Sequence, residues 1–405
     1  MPTCPVLTGL ARELWDEYHS GEQQRRRALW TAHFAGQTSE IPVSCAMFQG
    51  WQDLVWQQIL PEETFHYRSG LARIVEMHLR HTLWRARSIP DDTPIQPSLR
   101  LSVLPDMAPD ELWGVPLAFH STGMAGGAYK PVPPLDDPDD LAKLRAPEFR
   151  HDPERMARQA EELDALVGDL VPVSWHCDAL HNGPFEWAVR LRGMDNLLFD
   201  CYDRPEWLKQ LMDFLSRAMV KYHRAREAAG FVDAAEPSLH SPGDTVTPGL
   251  EKRLAGAWGY LHAQSAASYG PDTYAEFVHP YNIPIAELWG KVYYHGCEDL
   301  TAKAATIRGL PNLREFHVSP WSHVAPIAEC LPEHVVLEVH SHPTNVLLLW
   351  GEDEMRQELR VLASGAGNHL FNLKLCDIQT INADAGRALI SWSRVAREVA
   401  TWARS

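Results

Sequence analysis

This chain of 405 residues has little of several things, and each shortage removes a class of function. Basic residues are short, 37 against 53 acidic, for a formal charge of −16. A surface of that sign repels phosphate backbones and anionic lipid, which argues against nucleic-acid binding and membrane adhesion. Cysteines number only seven, an odd count spread thinly, so a secreted disulfide scaffold is not expected and reduced thiols in a cytoplasm are. The start, Met1-Pro2-Thr3-Cys4-Pro5, lacks the basic and apolar regions of a signal peptide. No apolar run approaches the roughly 18 residues of a membrane span. What is present is an ordinary globular composition, 45% hydrophobic and 22% charged, with 15 tryptophans and 20 histidines.

Residues 6–35 read as helix, with Leu10, Leu14, Leu29 and Phe34 on the buried side and Arg25-Arg26-Arg27 on a solvated face. Further helices are expected over about 62–86, 153–167, 203–229, 271–290, 300–309, 352–364 and 384–402. In the helix over 203–229, Asp203 is expected as the N-cap. The stretch 129–147 holds five prolines and reads as an ordered connector with no strand in it. Eight short apolar runs read as strands: 41–48, 98–104, 171–177, 231–239, 291–297, 313–318, 335–340 and 369–376. Strands alternating with helices imply parallel pairing. Eight such units predict an α/β fold, a single (β/α)8 TIM-type barrel over 41–405 behind an N-terminal helical extension over 1–40. A doubly wound open sheet is the structural alternative.

In such a barrel the C-terminal strand ends converge on one face, where active sites are built. Polar residues collect there: Tyr294-His295-Gly296-Cys297, then His317, then Glu338-Val339-His340-Ser341-His342, then Lys374-Leu375-Cys376-Asp377. His295 and Cys297, two apart, share a side of their strand. With Cys376 they can offer one nitrogen and two sulfurs, a set that suits Zn²⁺ and leaves a coordination position for substrate. A His-x-Cys in a strand is also an ordinary core feature. Glu338 and His340 are candidates for a fourth ligand or a substrate contact. His317, together with His176, Cys177, Asp178 and His181 after the third strand and Asp244 after the fourth, are candidate pocket residues. Gly123-Met124-Ala125-Gly126-Gly127 reads as a loop near the barrel mouth and matches no nucleotide-binding fingerprint.

From about Asp195 onward the chain resembles the uroporphyrinogen decarboxylase-like superfamily, which includes zinc-containing cobalamin-dependent methyltransferases. The features that carry this are Met194-Asp195-Asn196-Leu197-Leu198-Phe199-Asp200, Asp203-Arg204-Pro205-Glu206, Ala228-Ala229-Gly230, Phe277-Val278-His279-Pro280-Tyr281 and His295-Gly296-Cys297. The metal-binding branch pairs a His-x-Cys with a cysteine more than seventy residues on. His295, Cys297 and Cys376 match that pattern, with 78 residues between the cysteines.

The resemblance implies a (β/α)8 barrel and zinc on His295, Cys297 and Cys376. It also implies methyl transfer between a corrinoid and a small thiol or a methoxylated or methylated compound. The corrinoid would be free cobalamin or carried by a partner protein. The arginine-bearing N-terminal motif of the porphyrinogen decarboxylases is missing; the run 41–48 leads instead into Gln49-Gly50-Trp51. A metal-independent decarboxylase of the same fold remains the alternative, and a non-catalytic corrinoid or small-molecule carrier is a third reading.

Overall fold

The computed structural model describes residues 4–46, 53–105, 110, 112–121, 123, 129–180, 182–232, 247, 249–378 and 386–404. The strands are β1 (Val43–Cys45), β2 (Leu99–Ser102), β3 (Ala118–Ser121), β4 (Tyr129–Val132), β5 (Val173–His176), β6 (Trp258–His262), β7 (Lys291–His295), β8 (Leu313–Val318), β9 (Val336–His340) and β10 (Phe371–Leu375). Six of them form a parallel sheet in the order β1-β10-β9-β8-β7-β6. β2 and β5 form a separate parallel pair, and β3 and β4 an antiparallel ribbon. The fold is therefore α/β with parallel strands. The first strand pairs with the last. Among the described residues no ladder joins β1 to β2 or β5 to β6, so the closed eight-stranded barrel expected from the sequence stands as a six-stranded and a two-stranded sheet.

The sheet's two faces differ because residue character alternates along each strand. One face is apolar and covered by helices: Leu261 of β6, Val292 and Tyr294 of β7, Phe316 and Val318 of β8, Leu337 and Val339 of β9, and Leu373 and Leu375 of β10 are all buried in the main core. Gly259 shows how tightly those helices pack, since a Cβ there would lie 2.3 Å from the Trp289 ring. The opposite face carries Tyr260, Tyr293, Glu315, His317, Glu338, Asn372 and Lys374. Strands of a parallel sheet covered on both sides normally read as continuous apolar runs, so this polar face departs from the usual pattern.

Several sequence expectations change in detail. The helix over 6–35 is two helices, Pro5–Tyr18 and Gly21–Phe34, because Ser20 caps the second by accepting from the Gln23 amide at 3.3 Å. Arg26 is not solvated; it is buried, bonding Glu22 and the Thr93 carbonyl. Asp203 ends the helix Met194–Asp203 and does not cap the next, Pro205–Ala228, whose N-cap is Arg204. The helix over 271–290 breaks at Val278 into Pro271–Phe277 and His279–Ala286. The proline-rich connector does contain a strand, β4, which tolerates Pro131 because a two-stranded ribbon leaves one edge without ladder partners. β6 takes the place of the run 231–239, which from residue 233 lies outside the described residues.

The helix Gly21–Phe34 closes the N-terminal end of the polar face. Its Trp30 and Phe34 form a buried cluster with Trp258, Tyr293 and Val336, and Arg314 donates to the Phe34 carbonyl. Approach to that face is therefore from the C-terminal strand ends. No helix of the described residues is long and apolar enough to cross a membrane.

Candidate functional site

Along four neighbouring strands the inward residues follow one order from bottom to top. β6 runs Trp258, Tyr260, His262; β7 runs Lys291, Tyr293, His295; β8 runs Leu313, Glu315, His317; β9 runs Val336, Glu338, His340. Each ends in a histidine. Their rings form a belt, with centroids 6.0 Å apart for His262–His295, 4.3 Å for His295–His317 and 4.0 Å for His317–His340. β10 continues the layer with Asn372 and Lys374, followed by Cys376.

A hydrogen-bonded network binds the lower half of this belt. Glu338 Oε1 accepts from the Tyr293 hydroxyl at 2.6 Å and from His340 Nε2 at 2.7 Å. Lys374 Nζ donates to Glu338 Oε2 at 2.7 Å. His317 Nδ1 lies 3.0 Å from the Tyr293 hydroxyl and 3.5 Å from Glu338 Oε1. The single tyrosine proton goes to the carboxylate, so Nδ1–H of His317 donates and Nε2 keeps its lone pair. That Nε2 is buried and has no hydrogen-bond partner.

Burial works to raise the Glu338 carboxyl, but Lys374 and the two histidines outweigh it and hold it well below the usual range. Burial, with His340 alongside, lowers His317 to about 4, and burial also lowers His340. Both imidazoles are thus neutral beside an ionised carboxylate. Among the described residues His317, Glu338 and His340 form a group whose ligand atoms all lie within 4.8 Å of one another, a cluster that could hold a metal ion.

The predicted His295–Cys297 pair is assembled. Cys297 Sγ lies 3.5 Å from His295 Nε2, and the other ring nitrogen, Nδ1, lies 2.5 Å from the Tyr260 hydroxyl. Gly296 between them matters, because Glu298 folds back so that its Oε2 would sit 2.5 Å from a Cβ at that position. Cys376 is buried just beyond β10, where Asp377 turns the chain with φ of 56°.

β6 and β10 are four strands apart in hydrogen-bonding order, about 19 Å on a flat sheet. Yet the Tyr260 phenol is pushed well up by burial and then by charge at both Cys297 and Cys376. Both cysteines thus act on one phenol, although among the described residues no group of three ligand atoms within 4.8 Å of one another joins them to His295. Burial, then Asp377, pushes Cys297 up to about 12; burial, then Asp377, raises Cys376 well above the usual thiol range. Neither thiol ionises readily without a cation beside it.

The remaining candidates divide. Cys177 and Asp178 lie against the buried Arg226, with Arg226 Nη1 3.1 Å from Cys177 Sγ and Nη2 3.6 Å from Asp178 Oδ2. His176, at the end of β5, lies 2.8 Å from Arg100 through Nδ1. His181, Asp244, residues 124–127 of the glycine-rich loop and Gln49-Gly50-Trp51 lie outside the described residues.

Sequence reasoning missed Tyr260, His262 and Tyr293, and with them Glu186 and Glu298. The alternation Trp258-Gly259-Tyr260-Leu261-His262 was the available signal for β6, weakened by a glycine at its second position. Glu186 accepts from the Ser265 amide and hydroxyl, both at 2.8 Å, and sits 3.9 Å from His262 Nε2. The Glu298 carboxylate is buried without a hydrogen bond, 3.8 Å from Lys303 Nζ, and burial pushes it up to about 7 against the pull of that cation.

The sequence matches no protein-family model and no curated protein. Among solved structures the chain is similar to a methyltransferase from Methanosarcina mazei, at 15% identity and a TM-score of 0.55, over 92% of this chain and 98% of that one. At that identity the likeness is one of fold.

Proposed function

We propose that the chain is a zinc-dependent methyltransferase. It would move a methyl group between a corrinoid, free or on a partner protein, and a small thiol or methoxylated or methylated compound. Its eight parallel strands would close into a (β/α)8 barrel. The observation that carries this reading is the pair at the end of β7, His295 Nε2 at 3.5 Å from Cys297 Sγ, with Cys376 directly after β10 at the same end of the sheet. Likeness in fold to a solved methyltransferase supports it.

The residues fit zinc. One imidazole nitrogen and two thiols form a borderline-soft set, and the imidazole's second nitrogen is engaged by Tyr260 as ligating histidines usually require. Two thiols whose ionisation is disfavoured by burial are also the groups a cation would stabilise most. When bound, zinc supplies the positive charge that stabilises a thiolate or polarises the heteroatom carrying a methyl group.

The chain's own residues do the rest. Tyr260 orients His295. Glu298, one residue from Cys297, offers a buried carboxyl oxygen to hold the proton released by a thiol substrate. Trp30 and Phe34 keep water out from below. Exposed Trp321, Leu348 and Leu349, on the segments following β8 and β9, offer apolar surface that a corrin macrocycle can cover.

The test is metal content together with methylcobalamin demethylation, using a panel of thiols and methoxylated compounds. Cys297→Ser and Cys376→Ser are expected to lose both zinc and turnover. Wild-type protein that carries no zinc and acts with indifference to chelators would overturn the reading and favour the metal-free decarboxylase.

A further inference from the structure

The donor set proposed above leaves its fourth position unassigned, and the structure narrows the choice. Three residues near that set have been named for it or lie beside it: Glu338, His340 and His317. Glu338 is fully engaged, with one oxygen on Lys374 and the other on Tyr293 and His340. A cation drawn to it would also face the Lys374 ammonium at close range. His340 has committed its Nε2 to Glu338 at 2.7 Å. His317 differs. Its Nδ1 is taken by Tyr293 and Glu338, which fixes the tautomer and leaves Nε2 a bare lone pair. That nitrogen is buried without a partner, in a side chain 2% exposed whose ring centroid lies 4.3 Å from that of His295.

An unpaired buried nitrogen costs free energy unless something fills its place. A carboxylate-oriented imidazole with its far nitrogen free is the arrangement found at metal ligands.

We infer that His317 Nε2 is a fourth protein donor to the ion held by His295, Cys297 and Cys376, oriented by Glu338 and Tyr293. This rests on the zinc site proposed above and adds a second imidazole to it, for two nitrogens and two sulfurs in the absence of substrate; a substrate thiolate or heteroatom would then enter as a fifth neighbour or displace His317. Glu338, Tyr293 and Lys374 are then positioning residues that act through His317. The cluster His317–Glu338–His340 contributes one ligand and its support, and does not hold a separate ion.

X-ray absorption on the zinc-loaded wild-type chain tests this without any substitution. Two sulfur neighbours with the outer-shell scattering of two imidazole rings support the inference; two sulfurs with that of a single imidazole overturn it. In parallel, Zn²⁺ affinity by chelator competition and the visible spectrum of the Co²⁺-loaded protein are compared for wild type, His317→Ala, His317→Gln, Glu338→Gln and Cys297→Ser. His317→Ala is expected to weaken Zn²⁺ about 100-fold and shift the Co²⁺ bands, and Glu338→Gln about 10-fold. The Gln variant at 317 serves if Ala does not fold. If Cys297→Ser loses the ion while the His317 variants keep wild-type affinity and spectrum, this inference fails and the zinc reading stands. If Cys297→Ser keeps the ion and the His317 variants lose it, the ion belongs to His317–Glu338–His340 and both fail.

Discussion

The two ends of the six-stranded sheet are built from the same strands yet obey opposite rules. At the N-terminal end the inward face is dry: Trp30, Phe34, Trp258 and Val336 pack together, with the Phe34 and Trp258 rings 5.2 Å apart. At the C-terminal end, two residues further along each strand and then two more, the same face carries Glu338, Lys374 and a belt of histidines, nearly all buried. Apolar contact at the first end is non-directional and tolerates small changes of shape. At the second end every group depends on a named partner, because an unpaired buried charge is far more costly than a lost methylene. The plug stabilises the fold. The belt holds chemistry in place.

The largest effect should come from breaking a pair in the belt. Lys374→Met leaves Glu338 an uncompensated buried carboxylate, and the expected loss is about 5 kcal/mol in urea unfolding. Adding Glu338→Leu should recover more than half of it. A single variant within 1 kcal/mol of wild type would mean that the pair does not hold this end together.

At the plug end the expected effect is smaller and depends on pH. Burial, with Arg314 and Arg404 nearby, lowers His33 from the ordinary 6.5 to about 3. Between those values the unfolded chain takes up a proton that the folded one refuses, so stability falls as pH drops through that window. By pH 5 the contribution is about 2 kcal/mol. His33→Leu should remove about 2 kcal/mol of the stability lost between pH 7 and 5 and leave the share of His317 and His340; an unchanged slope would place the acid sensitivity in those histidines. Smaller still is Ser20→Ala, which removes the cap of the plug helix at a cost of about 1 kcal/mol and should leave metal binding unaltered.

The two ends also differ in how legible they were. β8 spans 313–318 as read from the sequence, and β7, β9 and β10 fall within two residues of their expected limits, since their alternation is strong and turn signals flank them. His295, Cys297, Cys376, Glu338 and His340 could be nominated from strand ends alone. β6 could not, because Gly259 interrupts the pattern for a reason outside its own strand, the approach of Trp289. Arg26 looked solvated in a run of three arginines and is buried because Glu22 and the Thr93 carbonyl meet it.

The sequence by itself determined an acidic α/β chain with parallel strands whose C-terminal ends are rich in histidine and cysteine. It does so through local periodicity, which places side chains on one face or the other. Only the tertiary structure decided which of those side chains meet. The strand order sets Cys376 and Cys297 at the same end of one sheet, and the register of β8 against β9 sets Glu338 beside His317, whose Nε2 is left without a partner. Strand order and register arise from contacts between residues far apart in the chain, which no short window of sequence contains.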